Sequence, residues 1–142
     1  MTIEELKERL IDECFDENRY HVGDHWKLKA DVFVLANPYG TWDIFYSDEK
    51  GNDQPYLKSF VELEEACEYF YNFLNSNKYT KAHLLKTFET KDEAEKLMAK
   101  LVSDGINSEL SVQPLTFNKK QNKIIVFGKD IVKAKNYLPK NT

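Results

Sequence analysis

The chain has 142 residues, 42% of them apolar, with 24 acidic and 20 basic side chains for a net charge of −4. That balance belongs to an ordinary globule, large enough to bury a core without staples. It excludes a disulfide scaffold, since there are two cysteines, and no run approaches the roughly 20 apolar residues of a membrane span.

An acidic, polar N-terminus stands where a secretory leader would be, so the expectation is a cytoplasmic protein. The charge is uneven along the chain. Residues 1–78 carry 17 acidic and 8 basic side chains, net −9, and residues 79–142 carry 7 and 12, net +5. An acidic half favours a basic partner and a basic half a negatively charged one. Eighteen of the basic residues are Lys, with Arg only at 9 and 19. That scarcity disfavours base-specific nucleic-acid binding, where the guanidinium fork is the usual reader.

In chain order, Thr2-Ile3-Glu4-Glu5 is a capping box that opens a helix. Its apolar stripe of Ile3, Leu6, Leu10 and Cys14 predicts that the helix runs to about Asn18. Residues 19–28 are polar and aromatic around Gly23, with room for a short strand. Val32-Phe33-Val34-Leu35-Ala36 is a continuous apolar run of strand length, and Asn37-Pro38-Tyr39-Gly40 suits a type I turn. Trp42, Ile44 and Tyr46 then alternate with Asp43, Phe45 and Ser47, which is strand spacing. Residues 48–53 form a polar hairpin loop and residues 56–60 the return strand, with Pro55 at its start. Leu63, Ala66, Cys67, Phe70, Phe73 and Leu74 share one face of a helix, and Glu62, Glu64 and Glu65 crowd its first turn.

Asn75-Ser76-Asn77-Lys78 is the linker candidate, placed where the charge changes sign. Beyond it, residues 83–88 read as a strand. Thr90-Lys91-Asp92-Glu93 caps a helix on Ala94, Leu97, Met98, Leu101 and Val102. Gly105 stops that helix, and Ile106 is placed to touch Leu101 in a Schellman ending. Leu110 and Val112 mark a half-exposed strand that Pro114 disrupts, and residues 118–122 a polar turn. Ile124-Ile125-Val126-Phe127 marks a central strand, and residues 129–138 a short helix. The fold class is therefore α+β: an acidic α-β-β-β-α module with an antiparallel meander over residues 1–78, then a basic β-α-β-β-α module over residues 79–142. The pattern leaves open whether the halves share one core.

No constellation satisfies the needs of catalysis. His21-Val22-Gly23-Asp24-His25 has ligand types, but Gly23 argues against the helical turn that would pair the two His on a metal, so it reads as a polar loop. Cys14 lies on a predicted helix whose outer face carries Glu5, Glu8, Asp12 and Asp16, whereas a nucleophilic thiol needs an electropositive setting. The glycines are isolated, so no phosphate loop exists, and residues 48–53 lack a calcium loop's closing Glu. The expectation is a protein that is not an enzyme and needs no cofactor or metal. The binding candidates are Tyr39, Trp42 and Tyr46 with Asp43, Asp48, Glu49 and Asp53, aromatic anchors beside acids suited to a basic protein. The competing assignment is that these aromatics fill the core.

The stretch Gly40-Thr41-Trp42-Asp43-Ile44-Phe45-Tyr46-Ser47-Asp48-Glu49, followed by Glu64-Glu65-Ala66-Cys67-Glu68-Tyr69-Phe70, resembles a family of bacterial polymorphic-toxin immunity proteins. That family has a G-x-W-x-V-x-Y-S-E-R strand and an E-E-A-C-E-Y-F helix. This sequence departs from it in Phe45 beside Ile44, in Asp48-Glu49 where an acid precedes Arg, and in the missing Asp or Ser cap before Leu63. The resemblance covers about residues 1–75. It implies an antidote that blocks a cognate secreted toxin by direct binding, with a nuclease toxin and its basic cleft as the charge-matched case. The alternative is a small regulatory or adaptor module whose basic C-terminal half binds nucleic acid or an acidic protein.

Overall fold

The computed structural model describes residues 1–24, 26, 30–48, 57–115 and 119–138. The chain is α+β and divides into two compact units, Met1–Thr80 and Lys81–Thr142. Among the described residues no helix is long and apolar enough to cross a membrane.

The first unit opens with α1 (Ile3–Asp12), capped by Thr2, whose Oγ1 accepts the Glu5 N–H. The helix ends well short of Asn18. Cys14 takes a left-handed φ of +58°, Cys14 N–H bonds to Ile11 O, and Phe15 N–H bonds to Leu10 O. This is a Schellman ending with cysteine in the usual glycine position. It turns Phe15 into the core, where it is buried. Cys14 thus follows the helix and does not extend its stripe.

Strands β1 (Tyr20–Val22), β2 (Val32–Ala36), β3 (Trp42–Ser47) and β4 (Lys58–Phe60) form a sheet in that order. β2, β3 and β4 are the expected antiparallel meander, while β1 is a further strand that pairs parallel with β2. The turn before β3 is closed by Gly40 N–H on Asn37 Oδ1 (2.9 Å), with Gly40 at φ +97°. α2 (Leu63–Asn75) covers one face together with α1. Leu6, Leu10, Phe15, Ala66, Cys67, Phe70, Tyr71 and Leu74 pack there on Tyr20, Val22, Leu35 and Ile44. The opposite face has its own core of Trp26, Val32, Val34, Ala36 and Phe45. Both faces are therefore covered, which explains the unbroken apolar run of β2.

Residues 75–78 are not a loose linker. Asn75 closes α2, and a 3₁₀ turn (Lys78–Lys81) follows. The buried Thr80 hydroxyl donates to Leu74 O (2.6 Å), and Thr80 O accepts Asp16 N–H (2.8 Å).

In the second unit β5 (Ala82–Phe88), α3 (Lys91–Ser103), β6 (Ser108–Pro114), β7 (Lys120–Phe127) and α4 (Asp130–Ala134) follow the expected order. β7 is central, between β5 and β6 and antiparallel to both, so β5-α3-β6 is a split crossover. Leu85 sits at a bulge between β5 and β7 and is buried. α3 ends as expected: Ile106 N–H bonds to Leu101 O, and Gly105 N–H, at φ +78°, bonds to Val102 O. Two expectations shift. Pro114 is the last paired residue of the edge strand β6, and Lys120 to Asn122 lie inside β7 rather than in a turn. The final helix gives way to a 3₁₀ turn (Lys135–Tyr137).

Candidate protein-binding surface

The predicted aromatic and acidic hairpin is dispersed by the pleat. Asp43 lies opposite Ala36 and Ser59, and is only 3% exposed. Its Oδ1 accepts the hydroxyls of Thr41 (2.8 Å) and Ser59 (2.6 Å). It ties the start of β3 to β4 and is shielded from solvent. Trp42, on the other face, is half-buried against the helical core. Tyr46 is also half-buried; its hydroxyl donates to Asp31 Oδ1 (2.7 Å). That hydrogen bond, with burial second, raises the phenol's pKa. Asp48 is half-buried, and its carbonyl accepts Asp31 N–H. Tyr39 stands at the turn, 83% exposed. Glu49 and Asp53 lie outside the described residues, as do Pro55 and Tyr56 of the predicted return strand.

What the first unit does present is a row of rings that periodicity alone conceals. Phe60 on β4 meets Tyr69 on α2 (centroids 5.4 Å apart), and Tyr69 stacks on Phe73 (6.4 Å, 9° between planes). Phe73 meets Phe33 on β2 edge to face (5.0 Å), and Phe33 meets Tyr46 (5.2 Å). Tyr69 is 37% exposed and the other four rings are half-buried. The available signal was the helical offset: Tyr69 and Phe73 are i and i+4 on one side of α2, next to the buried stripe.

Carboxylates line the solvent sides of the two helices. Glu64, Glu65 and Glu68 on α2 and Glu4, Glu5, Glu8 and Asp12 on α1 are all exposed. The two helices are joined by a polar cluster. The Tyr71 hydroxyl donates to Glu13 Oε1 (2.5 Å), Arg9 Nε donates to Glu13 Oε2 (2.9 Å), and the Arg9 guanidinium lies 3.7 Å from the Tyr71 ring centroid. Burial first, and the bond to Glu13 second, raise the Tyr71 pKa. Burial likewise pushes up the Cys67 thiol on the core side of α2, a setting opposed to thiolate chemistry.

His21 lies on β1 and Gly23 follows it at φ +126°, while His25 lies outside the described residues. Among the described residues no group of three or more His, Cys, Asp or Glu could hold a metal ion. In the second unit a groove of about 1130 Å³ lies between the start of α3 and the β6-β7 end of the sheet, with Lys91, Lys119 and Lys120 at its margin. At its base Asn122, buried, donates to the carbonyls of Phe88 (3.4 Å) and Glu89 (3.3 Å). Set against protein-family models, curated protein sequences and solved structures, the chain matches none of them.

Proposed function

We propose that this protein is an antidote: it binds a cognate bacterial toxin domain directly and neutralises it by covering the toxin's working surface. The reading begins from the two motifs of β3 and α2. The observation that carries it is the outer surface of α1 and α2, where exposed carboxylates are met by Lys7 and Arg9 on α1 and by the Met1 ammonium 3.8 Å from Glu64, and α2 itself carries no basic residue. Such a field speeds encounter with a basic surface and repels other acidic proteins. A toxin with a basic cleft, such as a nuclease, is the matching partner. Binding of this kind asks for shape and charge and for no reacting side chain.

The test is co-expression with the C-terminal domain of a secreted protein encoded by the neighbouring reading frame. Growth should be restored, and a one-to-one complex should survive gel filtration at moderate salt. Toxicity that persists despite soluble expression of both proteins would refute the proposal. One observation favours a second reading: the lysines around the groove of the second unit suit a phosphate-bearing ligand. That reading expects fluorescence-labelled DNA or RNA to bind with affinity falling steeply as salt rises.

A further inference from the structure

We propose that the ring row centred on Tyr69, with Phe60, Phe73 and Phe33 beside it, Glu65 one helical turn away and Glu68 on the solvent side of the same helix, docks an arginine-rich surface of a partner protein. This rests on the reading of the chain as a protein-binding inhibitor and names where and how it grips.

Aromatic rings whose work is to fill a core are covered, as Phe45 and Phe70 are at 1% and 0% exposure. The rings of this row touch one another in sequence and stay partly open at the edge of the core, with Tyr69 the most exposed and Lys58 Nζ already 5.8 Å from the Phe60 centroid. Glu65 lies one helical turn before Tyr69 on the same side of α2, and Glu68 is exposed about 100° further round the helix. From residue 59 to residue 77 the sequence has Glu62, Glu64, Glu65 and Glu68 and neither Lys nor Arg. A π face beside carboxylates suits a guanidinium, which can lie flat on the ring while its N–H fork reaches a carboxylate. The ring row supplies apolar area, and the carboxylates supply direction and rate. A second copy of this chain is a poorer occupant. Its two arginines are Arg9, already engaged with Glu13 and Tyr71, and Arg19 beside Asp16, and its basic half carries only lysines.

The experiment titrates ¹⁵N-labelled full-length protein with nona-arginine, and in parallel with nona-lysine, at low salt. The largest amide shifts should fall at Tyr69, Phe73 and Phe33, with nona-arginine the tighter ligand. Tyr69→Ala should weaken nona-arginine by about fivefold. The pair Glu65→Lys/Glu68→Lys, which leaves every ring in place, should weaken it more than Glu4→Lys/Glu8→Lys, an equal change of charge on α1. Unchanged shifts elsewhere in the spectrum establish that the variants fold. Largest shifts on α1, equal loss from the two charge-reversed pairs, or full affinity in Tyr69→Ala would each overturn the proposal. So would a dimer that Tyr69→Ala converts to monomer, since a second copy would then own the surface. The two proposals fail separately. Growth rescue by the wild type and equally by Tyr69→Ala sinks the docking row alone, whereas absence of rescue with the shifts in place sinks the antidote reading alone.

Discussion

Cys14 holds a conformation that costs an L-residue about 1–2 kcal/mol and costs glycine little. It does so at the point where the chain leaves α1 and Phe15 enters the core. Two substitutions isolate that strain. Cys14→Ala removes the thiol and keeps Cβ, and Cys14→Gly removes both. The glycine variant should be the more stable of the two by about 1 kcal/mol in chemical denaturation; equal stabilities would show that the turn relaxes around the side chain. Tyr20 makes a pH-dependent contribution. Burial first, then Glu17 and Asp16, push its pKa up to about 12. In the unfolded chain a phenol ionises near pH ~10, so the unfolded state gives up the proton first. The folded-state advantage is therefore whole below that value and is lost as pH rises through about 12. Stability should fall over this window, and Tyr20→Phe should flatten the fall. Tyr71 and Tyr46 are raised as well and will leave some slope.

At the scale of elements, α1 and α3 have hydroxyl caps and α2 does not. Thr2 accepts Glu5 N–H, and Thr90 accepts Glu93 N–H while its own hydroxyl reaches Glu93 Oε1. Glu62, the residue before α2, makes no side-chain cap bond. Glu62→Ser places a hydroxyl three residues before Glu65, the spacing of a capping box, and should stabilise the protein by about 0.5–1 kcal/mol. A thermal midpoint that does not rise would mean the Glu62 backbone cannot adopt the cap geometry. Because such signals are local, they were legible in the sequence: the Thr2 and Thr90 hydroxyl caps, the Gly105-Ile106 ending of α3 and the meander β2-β3-β4 follow from residue type and spacing. The end of α1 was not, because the residue that turns the chain is a cysteine. The candidate site was the least legible part. Alternation correctly set Asp43 and Phe45 on one face and Trp42, Ile44 and Tyr46 on the other. What it could not supply was that both faces are covered, so an acid assigned to the surface is buried on two hydroxyls. The unbroken run of β2 already hinted at this, since only a strand with two covers needs to be apolar throughout.

At the scale of the whole molecule, the two cores of the first unit draw, among the described residues, on residues up to Leu74. The last lock is Thr80, whose hydroxyl meets Leu74 O and whose carbonyl meets Asp16 N–H across the unit. A fragment of residues 1–80 should therefore unfold cooperatively by itself, whereas one ending at residue 76 loses both bonds. Each bond contributes about 0.5–1.5 kcal/mol, a sizeable share of what so small a domain has in hand. Residues 1–78 carry a net charge of −9, and self-repulsion at that density opposes the compact state. Added salt should accordingly raise the melting temperature of the 1–80 fragment, measured by circular dichroism at a series of sodium chloride concentrations. The same salt should weaken its capture of an arginine-rich ligand, because screening acts on both attractions and repulsions between exposed charges. The opposed signs make the measurement decisive. If both quantities move together, the acids govern neither folding nor binding in the manner argued, and the charge of the helical layer is only a means of staying dissolved.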